Sequence, residues 1–209
     1  MSGQIERSKA PGESRGFLVH GGDMAVALVV IDMQMVMQRR IEDGRPHVNS
    51  AAPERITALV AAFRDSGRAV IHVRHADHDP ASPLHPTASG YPAMACAREV
   101  EGEALFVKNG SSAFTGTDLD VYLRAEGVRH LFVIGAVAGF CVNSTVRSAS
   151  DLGFRVSVVG DAVIGFDLPS AGLDAQTIFD VTMGLLAADF AEVTDSAAVL
   201  SGLPSLNFC

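Results

Sequence analysis

The 209-residue chain lacks tryptophan, has only three cysteines and carries no basic cluster longer than a pair such as Arg39 and Arg40. Its 16 Lys and Arg are outnumbered by 24 Asp and Glu, which gives a formal net charge of -8. Nucleic acids and anionic membranes are bound through basic patches, so we expect neither as a partner. Small molecules, or the surfaces of other protein chains, are the partners that this charge balance favours.

The chain also lacks any apolar run close to the roughly 20 residues that span a bilayer. Residues 1–24 lack the layout of a signal peptide and show no helical or strand period, so we interpret them as an N-terminal arm or tag. One domain is expected from 25 to 209. Cys96, Cys141 and Cys209 have no metal-ligand spacing, which indicates free thiols and a cytoplasmic location.

Apolar residues are abundant, at 48% of the chain, and β-branched apolar runs alternate with amphipathic stretches. Strands that are apolar throughout are typical of a parallel sheet buried on both faces. We therefore predict an α/β protein, a three-layer α/β/α Rossmann-like fold with a mainly parallel, about six-stranded sheet. The predicted strands are 25–31, 69–73, 104–107, 130–134, 154–159 and 191–194, and the predicted helices are 53–66, 118–126, 141–152 and 172–188.

Polar side chains follow three of the predicted strands at the point where each strand ends. Asp32 follows AVALVVI, Lys108 follows ALFV, and Cys141 lies just beyond HLFVIGAVAGF. Taken singly, they could be a helix cap, a solvated strand end and a core residue. Ligands of open α/β sheets bind beyond the carboxyl ends of the strands, so the three together favour an activated cysteine nucleophile.

The segment between the fourth strand and the next helix supports this interpretation. Gly135 and Gly139 permit a sharp strand-to-helix turn with unusual backbone angles. The first amides of a helix have no intrahelical partner and carry partial positive charge, so such a turn can stabilise both a thiolate and an oxyanion.

Four ordered motifs resemble the isochorismatase-like cysteine hydrolase family, which also includes nicotinamidases and N-carbamoylsarcosine amidohydrolase. They are VVIDMQ at 29–34, KNGSSAFTGTDLDVYL at 108–123, VIGAVAGFCVNSTVRSASDLGF at 133–154 and VVGDAV at 158–163. The resemblance extends from about residue 25 to residue 195. It implies a catalytic Asp32, Lys108 and Cys141, a cis peptide between Ala136 and Val137, and an oxyanion hole formed by the amides of Val137 and Cys141.

The resemblance also carries expectations about the rest of the site. Phe114, Met37 and Gln34 are expected to contact the substrate. Metal-dependent nicotinamidases carry an Asp-x-His motif, which is absent from the histidine-rich segment 72–85, so we expect no metal and no cofactor. The long segment 75–102, with four prolines, is expected to be a lid or a wall of the binding site. Members of the family commonly associate, so we expect a homo-oligomer.

The favoured function is therefore a cysteine hydrolase that cleaves a C–N bond of a small amide or carbamoyl compound through a thioester. Two alternatives remain open at this point. Asp32 could act as the general acid of an isochorismate-type vinyl-ether hydrolase in which the cysteine takes no part. The chain could also be a catalytically silent metabolite-binding or scaffold member of the family.

Overall fold

The computed structural model describes residues 25–203, so the predicted arm at 1–24 and Cys209 lie outside the described residues. Its strands are β1 (Ala25–Ile31), β2 (His47–Val48), β3 (Ala69–His75), β4 (Ala104–Lys108), β5 (Val128–Ala136), β6 (Arg155–Phe166) and β7 (Glu192–Thr194). Its α-helices are α1 (Met35–Glu42), α2 (Ala52–Asp65), α3 (Leu119–Ala125), α4 (Asn143–Asp151), α5 (Ala175–Asp189) and α6 (Ser196–Gly202).

The strands form one sheet in the order β2-β6-β5-β1-β3-β4, with β7 paired to the part of β6 where the chain enters that strand. All pairs are parallel except β2 with β6. The predicted three-layer architecture is confirmed, with seven strands instead of about six. β1 lies at the centre between β5 and β3, so the ends of β5, β1, β3 and β4 are neighbours at the carboxyl edge.

Two hydrophobic cores sandwich the sheet, one on each face. Buried residues of α1, α2 and α6 pack on one face, where Phe63 meets Phe132 at 5.7 Å between ring centroids. Buried residues of α3, α4 and α5 pack on the other face. Every residue of β5 except Arg129 is buried, as expected for a strand covered by helices on both sides.

Several elements were not predicted from the sequence. Helix α1 has the polar sequence MVMQRRIE and buries only Val36 and Met37. Strand β2 has two residues and exists through its pairing with the end of β6, which continues to Phe166 rather than stopping at 159. Helix α6 was not predicted either. Local sequence is a weak guide to such short elements because tertiary contacts decide them.

The segment between β3 and β4, predicted to be a lid or wall, is fastened to the start of α1 by backbone hydrogen bonds. The amides of Met35 and Val36 donate to Pro92 and Gly90, at 2.8 and 2.9 Å, and the amide of Met94 donates to Met33 at 2.8 Å. These three hydrogen bonds join the chain just after Asp32 to the β3–β4 segment. The segment is a fixed wall beside the carboxyl end of β1.

The outer face of α5 exposes two large apolar side chains, Val181 and Leu185, at 57% and 54%. Exposed apolar patches often mark association surfaces, and the expected homo-oligomer stays a prediction. Within residues 25–203, no helix is both long enough and apolar enough to cross a membrane.

Glu103 joins the β3–β4 segment to the rest of the fold. Its carboxylate accepts two hydrogen bonds from Arg64 of α2, at 2.7 and 2.8 Å, and lies 2.8 Å from His72 Nε2 of β3. Burial acts to raise the pKa of Glu103, but the hydrogen bonds from Arg64, the Val100 amide and His72 outweigh it and lower the pKa to about 2.

We predict that Glu103→Gln lowers the free energy of unfolding by about 2 kcal/mol at about pH 7. The carboxylate has a lower pKa in the folded chain than its ordinary 4.5, so its stabilisation is present above 4.5 and is lost as the pH falls towards 2. Urea unfolding at about pH 7 and about pH 3 measures the difference, which should shrink at the lower pH. The control is Glu101→Gln, which removes an exposed carboxylate. A difference that stays constant over this range would contradict the prediction.

Candidate active site

The carboxyl ends of β1 and β4 and the turn after β5 bring the three predicted catalytic residues together. Lys108 Nζ lies 2.7 Å from Asp32 Oδ2 and 3.2 Å from Cys141 Sγ. Asp32 is 2% exposed and Lys108 is fully buried, whereas Cys141 is partly accessible. The arrangement is a buried ion pair with a thiol beside it.

Asp32 reaches this position through an unusual backbone conformation. Its φ of +48° lies in the left-handed region, and its amide donates to the Val73 carbonyl of the neighbouring strand at 3.0 Å. Across from it, Gly135 of β5 has φ +119°, and a Cβ there would lie 2.1 Å from the Ile31 carbonyl oxygen. Glycine is therefore required for β5 to approach the end of β1 so closely.

The thiol is presented by a tight turn between β5 and α4. The peptide bond between Ala136 and Val137 is cis, and one π-helical turn from Ala138–Val142 carries Cys141. Gly139 lets this turn pack against α5, because a Cβ would lie 2.9 Å from Ile178 Cγ2. Within the described chain, the turn's hydrogen bonds to the Val137 carbonyl come from the amides of Phe140 and Val142. Neither of these two hydrogen bonds is donated by the amide of Val137 or of Cys141.

The Lys108 ammonium has two further contacts. Nζ lies 3.1 Å from the Gly110 carbonyl oxygen and 3.2 Å from His75 Nδ1. His75 is the last residue of β3 and is opposite Lys108 in the parallel register of β3 and β4. His75 lies in the histidine-rich segment 72–85, and the sequence pattern did not distinguish it from the other histidines there. The signal that could have found it is its place at the end of a strand next to that of Lys108.

Burial controls the ionisation of the acid and the thiol. It raises the pKa of the Asp32 carboxyl, and the positive charge of Lys108 acts in the opposite direction. Burial raises the pKa of the Cys141 thiol to about 12, and the negative charge of Asp32 adds to this, whereas Lys108 opposes it. The thiol is therefore protonated at rest. Asp32 Oδ1 has no hydrogen-bond partner among residues 25–203, so this oxygen is available to receive the thiol proton.

A set of possible metal-binding atoms coincides with this site. One ligand atom from each of Asp32, His75 and Cys141 lies within 4.8 Å of the others. The Lys108 ammonium, however, contacts all three of these residues at 2.7 to 3.2 Å. A metal ion among these three residues would lie beside the buried ammonium of Lys108, whose positive charge opposes the binding of a second cation.

The three residues expected to contact the substrate have other partners in the fold. Gln34 is fully buried and donates to the His75 and Tyr91 carbonyls at 3.0 and 2.8 Å, so its amide holds backbone. Met37 is buried in the core beneath α1. Phe114 stacks on Phe154 at 5.9 Å between ring centroids and packs against the other core. Their contact with substrate stays a prediction.

Comparisons with known proteins show which family the chain is similar to. Residues 26–198 match the isochorismatase domain family. A streptothricin hydrolase of Streptomyces noursei is 30% identical over 167 residues, covering 79% of this chain and 58% of that protein. An N-carbamoylsarcosine amidase of Arthrobacter sp. is 41% identical over 69 residues, covering 31% of this chain and 26% of that protein. A crystal structure of an isochorismatase-family protein from Chromobacterium violaceum has a TM-score of 0.81 and 29% identity, covering 90% and 97% of the two chains.

We predict that Asp32→Asn lowers the pH at which the Cys141 thiol ionises by about one unit or more. The substitution removes a negative charge that raises the thiol pKa and leaves Lys108, which lowers it. The pH dependence of the rate at which iodoacetamide alkylates Cys141 follows the thiolate, because the thiolate is the nucleophile. The measurement uses a chain carrying Cys96→Ser and Cys209→Ser, so that only one thiol reacts. Glu101→Gln in the same background is the control for a remote charge. An unchanged or higher titration midpoint would show that Asp32 does not act on the thiol.

Proposed function

Because the chain belongs to the isochorismatase family of hydrolases, we propose that it hydrolyses a C–N bond of a small amide or carbamoyl compound through a thioester on Cys141. The observation that carries this proposal is the contact of one buried ammonium with both an acid and a thiol. Lys108 Nζ is 2.7 Å from Asp32 Oδ2 and 3.2 Å from Cys141 Sγ. A nucleophile, a proton acceptor and a positive charge are thereby within one hydrogen-bond network.

The first half of the reaction transfers the substrate's acyl group to sulfur. Asp32 accepts the thiol proton as Sγ attacks the carbonyl carbon, and the carbonyl oxygen becomes an oxyanion. The amides of Val137 and Cys141 are the proposed donors to that oxygen, because neither donates one of the two hydrogen bonds that the Val137 carbonyl accepts within the turn. The C–N bond then breaks, Asp32 returns the proton to the nitrogen, and ammonia or an amine leaves.

The second half releases the acyl group. Asp32, again a carboxylate, takes a proton from a water molecule as the water oxygen attacks the thioester carbonyl carbon. The C–S bond breaks, the proton passes from Asp32 to sulfur, and the thiol is restored. The product is the carboxylic acid or carbamic acid that corresponds to the amide. One proton thus moves between Asp32 and the reacting atoms in both halves.

Lys108 compensates the negative charge wherever it lies. At rest the charge is on Asp32, and after proton transfer it is on the sulfur of Cys141. Both atoms are within 3.2 Å of Nζ, so the charge moves without leaving its counter-ion. In a site shielded from water this compensation is worth far more than it would be in solution.

The relatives support C–N chemistry in part. One of them is an N-carbamoylsarcosine amidase, which matches a third of this chain, and another is a streptothricin hydrolase. The partial overlap supports the type of bond and leaves the identity of the substrate to experiment.

Hydrolysis of a vinyl ether is a second candidate function, favoured by one observation. Burial raises the pKa of Asp32, and a carboxyl group that keeps its proton can act as a general acid. Asp32 would then protonate the substrate's vinyl carbon, and Cys141 would form no bond. That reaction releases a ketone or keto acid, whereas the proposed reaction releases ammonia or an amine.

We predict that Cys141→Ala reduces amide turnover by about a thousandfold or more, because the thioester cannot form. A screen for ammonia release across primary amides, carbamoyl compounds and small ring carboxamides first identifies a hydrolysed compound. The matched control is Cys96→Ala, which removes the other free thiol of the described residues and has no contact with Asp32 or Lys108 in the hydrogen bonds of residues 25–203. Unchanged ammonia release by Cys141→Ala would rule out the proposed mechanism, and release of a keto acid without ammonia would favour the vinyl-ether reaction.

A further inference from the structure

Among residues 25–203, His75 is the one titratable group in contact with Lys108 Nζ that the proposed mechanism does not use. Its ring lies between two charges, with Nδ1 at 3.2 Å from Lys108 Nζ and Nε2 at 2.9 Å from Asp77 Oδ1. Its side chain is 16% exposed. The other oxygen of Asp77 accepts a hydrogen bond from Ser82, and the hydrogen bonds from Ser82 and His75 lower the pKa of Asp77. Asp77 therefore stays ionised and accepts a hydrogen bond from the His75 ring.

These neighbours determine which ring nitrogen carries the proton. An ammonium has no lone pair and can only donate, so Nδ1 must accept from Lys108. A carboxylate can only accept, so Nε2 carries the proton and donates it to Asp77. The lone pair of Nδ1 is then directed at the ammonium of Lys108.

The side chain of Gln34 holds the backbone of His75 in place. The Gln34 side chain accepts from the His75 amide at 2.9 Å and donates to the His75 carbonyl at 3.0 Å. Gln34 lies two residues after Asp32 in the chain. The position of the imidazole is therefore tied to that of the catalytic acid.

Lys108 has fewer protons than neighbouring acceptors, so the position of His75 affects which of them receives a hydrogen bond. An ammonium has three protons, whereas Nζ has four polar neighbours in the part of the chain that the structure describes, namely Asp32 Oδ2, the Gly110 carbonyl, His75 Nδ1 and Cys141 Sγ. If Asp32, Gly110 and His75 each take one, none is left for sulfur at rest. The thiol then keeps its own proton, which can pass to Asp32 and later to the leaving nitrogen.

We propose that His75, oriented by Asp77, is a positioning residue that directs one proton of Lys108 away from Cys141 and so keeps the thiol neutral until substrate binds. The inference rests on the proposed role of Cys141 as nucleophile. Without this acceptor, the third proton of Lys108 turns to sulfur and stabilises a thiolate at rest. The thiol proton is then lost to solvent, and Asp32 has none to give to the departing nitrogen.

The test compares two substitutions of similar size that differ in hydrogen bonding. His75→Leu removes the acceptor, whereas the Oδ1 atom of His75→Asn places an acceptor close to the position of Nδ1. In the background without Cys96 and Cys209, we expect His75→Leu to lower the titration midpoint of Cys141 by about one pH unit. We expect His75→Asn to remain close to the wild-type midpoint. His85→Leu, which alters a loop histidine that contacts Thr87, is the control and should have no effect.

Turnover provides a second readout. We expect His75→Leu to reduce kcat about tenfold with little change in KM, because the defect lies in proton delivery rather than in binding. Asp77→Asn should have a smaller effect of the same kind, and adding it to His75→Leu should cause no further loss, because Asp77 acts through the imidazole. Thermal unfolding shows whether each variant is folded, and His75→Ala against His75→Asn makes the same comparison if the leucine variant does not fold.

The two proposals can fail separately. The thiol titration needs no substrate, so it tests His75 even if ammonia release turns out not to depend on Cys141. Equal midpoints for wild type, His75→Leu and His75→Asn would overturn the role of His75, whatever the reaction. If the double variant with His75→Leu and Asp77→Asn loses kcat by the product of the two single losses, Asp77 acts independently of the imidazole, which would overturn its proposed role.

Discussion

The ion pair between Lys108 and Asp32 is the interaction on which the rest of the site depends. Removing two charges from water is costly, and such a pair persists only where further hydrogen bonds satisfy the remaining protons and lone pairs. Here Nζ has the Gly110 carbonyl and the His75 ring as further partners, while Asp32 Oδ1 has no hydrogen-bond partner among residues 25–203. Leaving this buried oxygen without a hydrogen bond costs stability. It is also the atom that we propose accepts the proton of the Cys141 thiol.

Much of the surrounding structure can be understood as support for that pair. Gly135 lets β5 come close to the end of β1, and Gln34 ties the end of β3 to the segment after it. The wall between β3 and β4 is fastened to α1 by its backbone and to α2 through Glu103. Neighbouring strand ends therefore hold their side chains on rigid elements, which is what a preorganised site requires.

The fold and the three central residues were predictable because they follow from regular rules. Apolar strands alternating with helices specify a parallel sheet, and the polar residues after such strands must meet at its carboxyl edge. Asp32, Lys108 and Cys141 needed no knowledge of loops. His75 and Gln34 were harder, because their roles depend on strand register and on the backbone of a long segment without regular structure. Local patterns also could not tell that Met37 would be buried in one core and that Phe114 would pack against the other.

The central claim is that Cys141 carries the acyl group between the two halves of the reaction. The most direct test is mass spectrometry of peptides from protein quenched with acid during turnover of a hydrolysed amide. The account predicts that the peptide containing Cys141 gains the mass of the substrate's acyl group and that the peptide containing Cys96 does not. Continued turnover with Cys141 unmodified, in conditions that preserve thioesters, would contradict it.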